Sequence, residues 1–260
     1  MVSYFEKNGI TIYCGDCREI VPMLPAASVD VVLADPPYGE TSLEWDRWPD
    51  GWLDSLSSVV TPTSSLWCFG SFRMFFDHRD EFTLWKFVQD VIWEKQNGSG
   101  FFADRFRRVH ETAAHFVRGG CKWADVYKSP QFTMDATART VRKKNKPAQW
   151  HGAAGPTTYV SHDRGPRLQR SVQQVRSMHM RASHPTEKPL GILTPLLQYS
   201  CRPGGVVLDP TCGSGSTLIA AKELGLNAVG IEINEEYCEI AANRLRQGIL
   251  WETNSEHREE

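Results

Sequence analysis

Short, unbroken apolar runs constrain this chain most, because each is too short for a buried helix and too continuous for a sheet with one wet face. Four stand out: Val29-Asp30-Val31-Val32-Leu33-Ala34, Ser65-Leu66-Trp67-Cys68-Phe69, Val88-Gln89-Asp90-Val91-Ile92-Trp93 and Gly205-Val206-Val207-Leu208. A fifth, Ala228-Val229-Gly230-Ile231-Glu232-Ile233, follows a helical stretch, and Thr112 to Val117 is a weaker sixth. Strands of this kind are buried on both faces, which calls for parallel pairing with helices layered above and below. Helical periodicity occupies Gly51 to Val60, Leu190 to Ser200, Ser216 to Leu224 and Glu235 to Gln247. Asn234 is a natural N-cap for the last helix, whose apolar stripe is Tyr237, Ile240, Ala241 and Leu245. The fold class is α/β.

From roughly Cys121 to Ser183 this periodicity disappears. Gly, Pro, Ser, Thr, His and Arg dominate, as in a small loop-rich insertion with little core of its own. The net charge of −2 hides an asymmetry centred there: ten basic residues and one acid, Asp163, give the stretch from Arg139 to Ser183 a charge of +9 against −11 elsewhere. Arg139, Arg142, Lys143, Lys144, Lys146, Arg164, Arg167 and Arg170 are the candidate nucleic-acid contacts, with Arg176 and Arg181 beyond them. A basic block on an acidic body is the footprint of a polyanion partner; the alternative is a solvated basic loop.

Composition excludes other classes. With 41% hydrophobic and 23% charged residues the chain is neither disordered nor collagen-like, and no apolar run nears the ~20 residues of a membrane span. Its N-terminus lacks the basic start and apolar core of a signal peptide, so a cytoplasmic protein with no membrane partner is expected. Seven scattered cysteines make no disulfide framework, and Cys14-x-x-Cys17 lacks the second pair of a zinc site, so no metal is expected. The polar tail after Trp251 is expected to fray.

Two stretches carry chemistry. Val206 to Thr217 reads strand, tight glycine turn, helix, with Asp209, Thr211, Gly213, Gly215, Ser216 and Thr217 at the turn. Such a loop brings backbone close to a small molecule at the carboxyl edge of a sheet. Glu232 ends the next strand, where an acid accepts from both hydroxyls of a ribose. The loop lacks the third glycine of G-x-G-x-x-G and the Gly-Lys-Ser/Thr of a phosphate loop. Asp209 at its mouth repels a pyrophosphate and attracts a sulfonium or ammonium, which suits S-adenosylmethionine better than NAD or ATP.

Asp35-Pro36-Pro37-Tyr38 follows the strand ending at Ala34. The prolines fix the backbone and leave carbonyls as bare acceptors. Asp35 and the Pro36 carbonyl suit the two protons of an exocyclic amine, with Tyr38 stacked on its ring; the plainer alternative is a strand end closed by a Pro-Pro turn. Gly39 to Trp52, with Trp45, Trp48 and Trp52, either closes over such a ring or packs as core. Arg105, Arg107 and Arg108 are further phosphate candidates or simply an exposed loop.

Together, Asp35–Tyr38 and Asp209–Thr217 resemble the amino-methylating DNA methyltransferases, which act on adenine N6 or cytosine N4. The order, tetrad first and cofactor loop last with the basic segment between, is similar to the circularly permuted β group. His184-Pro185-Thr186-Glu187-Lys188-Pro189 resembles that group's motif beside the methionine end of the cofactor, and Tyr13-Cys14-Gly15-Asp16-Cys17 its Gly-Asp turn at the cofactor's adenine. The resemblance implies a Rossmann-like, seven-stranded, mostly parallel sheet with helices on both faces and one antiparallel edge. It implies a catalytic half over residues 1–120, a target-recognition insertion over 121–183, a cofactor half over 184–250 and a tail over 251–260. Asp35, Pro36, Pro37 and Tyr38 are then catalytic. Asp16, Asp35, Lys188, Asp209, Thr211, Gly213, Gly215, Ser216, Thr217 and Glu232 are assigned to S-adenosylmethionine. Double-stranded DNA is the implied substrate, with the target base flipped out, and a homodimer and a cognate restriction endonuclease are candidate partners. Asp at the head of the tetrad, where cytosine-N4 relatives more often carry Ser, favours adenine N6 over cytosine N4. Methylation of RNA or of a protein glutamine are the remaining alternatives.

Overall fold

A computed structural model gives the fold and describes residues 1–99, 103–143, 157–177 and 187–247. The chain divides into two compact units, Met1–Ser129 with Ser171–Glu260, and Pro130–Arg170. In chain order the strands are β1 (Phe5–Lys7), β2 (Ile10–Cys14), β3 (Val29–Ala34), β4 (Val60–Gly70), β5 (Trp85–Ser99) and β6 (Arg108–Arg118). They continue with β7 (Phe132–Thr133), β8 (Arg139–Lys143), β9 (Thr157–Ser161), β10 (Arg167–Leu168), β11 (Val172–Gln174), β12 (Val206–Asp209) and β13 (Asn227–Glu232). The helices are α1 (Cys17–Ile20), α2 (Trp52–Ser55), α3 (Phe72–Asp77), α4 (Leu190–Ser200), α5 (Ser216–Glu223) and α6 (Glu235–Arg246).

In the larger unit nine strands form one sheet in the order β1-β2-β13-β12-β3-β4-β6-β5-β11. From β2 to β4 every neighbouring pair is parallel, whereas β6 is antiparallel to both its neighbours. The seven strands β2 to β5 of this order are the expected Rossmann-like sheet. Two details differ from expectation. First, β1 folds back antiparallel on β2 and β11 adds parallel to β5, which makes nine strands. Second, the antiparallel member lies one place in from the edge of the seven, because β6 pairs with both β5 and β4 and lies between them.

Alternate residues of β3 show why the runs are continuous. Val31 and Leu33 pack with Ile192 and Leu196 of α4, Leu218 of α5 and Ala241 of α6. Val32 and Ala34 belong to the opposite cluster, with Ile20, Trp52, Leu53 and Met74 of α1, α2 and α3. Successive side chains of a strand point to opposite faces, so a sheet covered on both sides makes both sets of positions apolar along Val31–Ala34.

The expected helix over 51–60 is cut short. Trp52, Leu53 and Leu56 bury fully in one α turn and one 3₁₀ turn that Val59 closes, after which the β-branched pair Val60-Thr61 goes extended into β4. On α6 the Asn234 cap forms, its Oδ1 accepting from Glu236 N at 2.8 Å. The buried stripe is Cys238, Ala241, Ala242 and Leu245, with Tyr237 and Ile240 only half-buried. Small residues face inward there because the glycine loop packs hard against them: a Cβ at Gly215 would lie 2.9 Å from that of Ala241.

The smaller unit spans Pro130–Arg170. Cys121–Ser129 and the chain from Ser171 belong to the larger unit, where β11 completes the sheet edge. In the smaller unit, β8 pairs antiparallel with β9, and β7 with β10. Such ribbons are solvated on both faces and need no apolar alternation, which is why the sequence pattern missed them. Among the described residues no helix is long and apolar enough to cross a membrane. Lys144, Lys146, Arg181, His184 to Thr186 and the tail from 248 lie outside the described residues.

Candidate active site

Four adjacent parallel strands, β2, β13, β12 and β3, each deliver an acid at or just beyond the carboxyl end: Asp16, Glu232, Asp209 and Asp35. Register ties the row together. Glu232 lies opposite Cys14, Asp209 opposite Gly230, and Leu208 opposite Val32. Neighbouring strands lie ~4.8 Å apart, so the row spans ~14 Å, about the length of an extended nucleoside carrying an amino-acid arm. Ligands of open α/β sheets bind outside this edge.

The glycine loop closes over the middle of the row. Gly213 and Gly215 sit at φ 51° and 81°, left-handed backbone that bends the chain from β12 into α5. Gly213 N donates to Glu232 Oε2 and Asn234 N to Oε1, both at 2.9 Å. Ile233 N is a third backbone donor to this carboxylate, which leaves about one lone-pair site for a hydroxyl donor. Burial pushes the Glu232 carboxyl up against these hydrogen bonds. Asp209 is buried and accepts from Thr211 N at 3.1 Å and from Thr217. Burial pushes its pKa up to about 7, against the hydrogen bonds from Thr217 and Thr211 and with help from the charges of Asp35 and Glu232. The buried Thr211 hydroxyl finds no hydrogen-bond partner among the described residues. Spare acceptors, an orphaned hydroxyl and a run of carboxylates fit a ligand with sugar hydroxyls and positive charge.

Sequence reasoning overlooked Arg244, which locks this loop. From α6 it donates to Ser214 O at 2.6 Å, to the Ser216 hydroxyl at 3.3 Å and to Glu187 Oε1 at 2.8 Å. Asp16 is placed on the row, since Gly15 N donates to Glu232 O at 2.9 Å. Its carboxylate caps α1 through Arg18 N and pairs with the Arg18 guanidinium, which holds its pKa below the usual carboxylate range.

At the β3 end, Asp35 Oδ1 accepts from the Tyr38 hydroxyl at 2.7 Å and Oδ2 from Lys188 Nζ. Pro36 is buried, and among the described residues its carbonyl accepts no backbone N–H. Lys188 therefore sits at the tetrad, with its ammonium also 5.1 Å from the centre of the Phe69 ring and 3.4 Å from Glu111 Oε2. Glu111 Oε1 is held by Lys95. Neither Lys95 nor Glu111 had a sequence signal, because only the pairing of β5 with β6 brings them together.

After the tetrad, Asp46 accepts from Gly39 N at 2.9 Å and Thr41 N at 2.7 Å, and Glu40 ties to Ser71 and, at 3.0 Å, to Arg108. Trp52 is fully buried, Trp48 stacks on His78 at 4.1 Å and donates to Glu81, and Trp45 is 42% exposed. Packing thus explains Trp48 and Trp52. Among the described residues Asp50, His78 and Glu81 are the one grouping of possible metal ligands, and Glu81 there already accepts from Trp48 and Gly51. All seven cysteines are free thiols. Arg105 pairs with Asp104 at 2.8 Å. In the smaller unit Arg139, Arg142, Arg164 and Arg170 are exposed, whereas Arg167 pairs with Asp135 at 2.9 Å.

A permuted Rossmann-like sheet with a glycine loop, an acid row and an Asp-Pro-Pro-Tyr turn on the adjoining strand defines a methyl-transfer site. Residues 29–243 match the DNA methylase family of the N6/N4 type, and the chain belongs to that family. It is 29% identical, over 91% of its length and 68% of the relative's, to the type II methyltransferase M.HinfI of Haemophilus influenzae. It is similar to the structure of the M1.HpyAVI–SAM complex, with a TM-score of 0.59 and 25% identity over 90% of this chain and 99% of that one. The PvuII DNA methyltransferase, described as cytosine-N4-specific, shares the fold at a TM-score of 0.60 with 15% identity, over 95% of this chain and 90% of that one. The chain is an amino-methylating, S-adenosylmethionine-dependent DNA methyltransferase.

Proposed function

We propose that this protein methylates the exocyclic N6 of an adenine flipped out of duplex DNA. The observation that carries the choice of base is the carboxylate at the head of the tetrad, Asp35, beside Tyr38 and the Pro36 carbonyl. S-adenosylmethionine supplies an electrophilic methyl group on a sulfonium. Asp35 and the Pro36 carbonyl each accept one amino proton of the base, which turns the nitrogen lone pair towards the methyl, and Tyr38 stacks on the ring. Asp35 also stabilises positive charge growing on the nitrogen and, with water, takes the proton released after transfer. Flipping is required because the amine is otherwise paired inside the duplex.

Glu232 holds the ribose, Asp16 meets the adenine end, and Asp209, Thr211 and the glycine loop hold the remainder, with Thr217 bracing Asp209. Lys188 acts from the tetrad side. Arg139, Arg142, Arg164 and Arg170, with Lys143, Lys144 and Lys146, bind phosphates. The β8–β9 ribbon suits this role, since the major groove admits a two-stranded ribbon.

Digesting methylated DNA to nucleosides and resolving them by mass spectrometry tests the base. N6-methyladenine is the expected product. N4-methylcytosine without N6-methyladenine would overturn the adenine assignment and leave the amine chemistry standing.

A second expectation follows from Asp209. Its carboxyl is protonated below about pH 7 in the free protein. If the ionised form holds the cofactor's positive charge, binding at pH 6 must expel a proton. Affinity then weakens as pH falls below about 7, approaching a tenfold loss per pH unit. Calorimetry at pH 6 in buffers of different ionisation enthalpy reads the proton directly, and zero release would remove Asp209 from the charge contact.

A further inference from the structure

Lys95, Glu111, Lys188 and Asp35 form an alternating chain of charges that ends at the tetrad. Its least expected member is Glu111, on β6, a strand that carries neither the tetrad nor the glycine loop. Its side chain is 13% exposed, against 17% for Lys95 and 7% for Lys188. Burial opposes ionisation of Glu111, yet Lys188 and Lys95 outweigh it and hold the carboxyl down to about 2. Burial likewise opposes the Lys188 charge, and Asp35 and Glu111 restore it. Glu111 and Lys188 therefore stay ionised despite their burial, and the cluster sets two lysines against two carboxylates.

That balance matters because the reaction brings positive charge to this spot. The cofactor's sulfonium is cationic, and the nitrogen proposed to meet Asp35 would itself become cationic on accepting a methyl group. Two ammoniums facing Asp35 alone would leave the cluster at +1 and repel both. A like charge this close, in a partly desolvated site, is worth an order of magnitude or more in affinity.

We propose that Glu111 is a positioning residue that seats Lys188 on Asp35 and cancels its charge, so that the site receives a cationic cofactor with the field of Asp35 intact. The proposal rests on the reading of Asp35 as the group that meets the target amine.

The test compares binding of S-adenosylmethionine with that of S-adenosylhomocysteine, which lacks the methyl group and the sulfonium charge. Glu111→Gln should lower affinity for the charged ligand by about tenfold more than for the neutral one. Lys95→Met should shift the ratio the other way, and Lys95→Met combined with Glu111→Gln should restore it. Loss of packing alone would weaken both ligands equally, so an unchanged ratio in the single variants overturns the proposal. If Glu111→Gln fails to fold, Lys95→Met still decides, since only a charge effect raises preference for the sulfonium. The ratio is measured without turnover, so it fails separately from the Asp35 reading. An active Asp35→Ala enzyme sinks that reading, whereas an inactive one with ratios insensitive to Lys95 and Glu111 sinks only this proposal.

Discussion

Asp35→Ala abolishes methyl transfer, by ~10³-fold or more, while duplex DNA still binds. The size follows from the role proposed for the carboxylate at the reacting nitrogen, orienting the amine and stabilising the charge that develops there, since preorganised electrostatics of this kind is usually the largest single contribution to catalysis. DNA binding survives because phosphate binding is assigned to the basic unit, not to the β3 edge. The substitution also strips Lys188 and the Tyr38 hydroxyl of a shared partner. A thermal unfolding curve beside the assay therefore separates lost chemistry from lost fold. Labelled-methyl transfer to duplex DNA, paired with fluorescence anisotropy, gives both halves. Near wild-type turnover would remove Asp35 from the reaction.

Replacing Arg142, Lys143, Lys144 and Lys146 with Gln weakens binding to every DNA sequence alike. Cations that neutralise phosphates release condensed counterions, so the log–log dependence of affinity on salt flattens by about 0.9 for each phosphate left without its cation. Removing all four cations amounts to about 10³-fold in affinity at ~0.1 M salt. Arg142 is exposed on β8, opposite Thr158 of β9. A salt titration of wild type and variant decides the matter: an unchanged slope would place these residues away from DNA.

Features legible in the sequence were those whose cause is local. β3 and α4 lie over the residues expected, because an unbroken apolar run and a 3.6-residue stripe each report their own burial. The tetrad and the glycine loop were legible because proline and glycine restrict or free the backbone wherever they occur. Lys95, Glu111 and Arg244 were not, since a charge on a strand or helix reads as a solvated one until its partner is known. Glu111 finds Lys95 only across the β5–β6 pair, and Arg244 finds Glu187 only once α6 has docked. The motif around Lys188 implied a place near the cofactor's methionine end, but its partner Asp35, 153 residues away in the chain, emerges only from the fold.

The strand order has a consequence for how the protein is made. β12 and β13 lie between β2 and β3, although β3 ends at Ala34 and β12 begins only at Val206. Emerging from the ribosome, β3 can pair with β4 on one side only, and its other edge, Val29–Ala34, stays bare until residues 206–232 arrive. An apolar strand with an open edge is a template for wrong pairing, so the nascent chain passes through a long interval of aggregation risk. The same late insertion brings Asp209 and Glu232 between Asp16 and Asp35, so completing the sheet and completing the acid row are one folding event. A chain stalled before that point carries the tetrad with no glycine loop beside it.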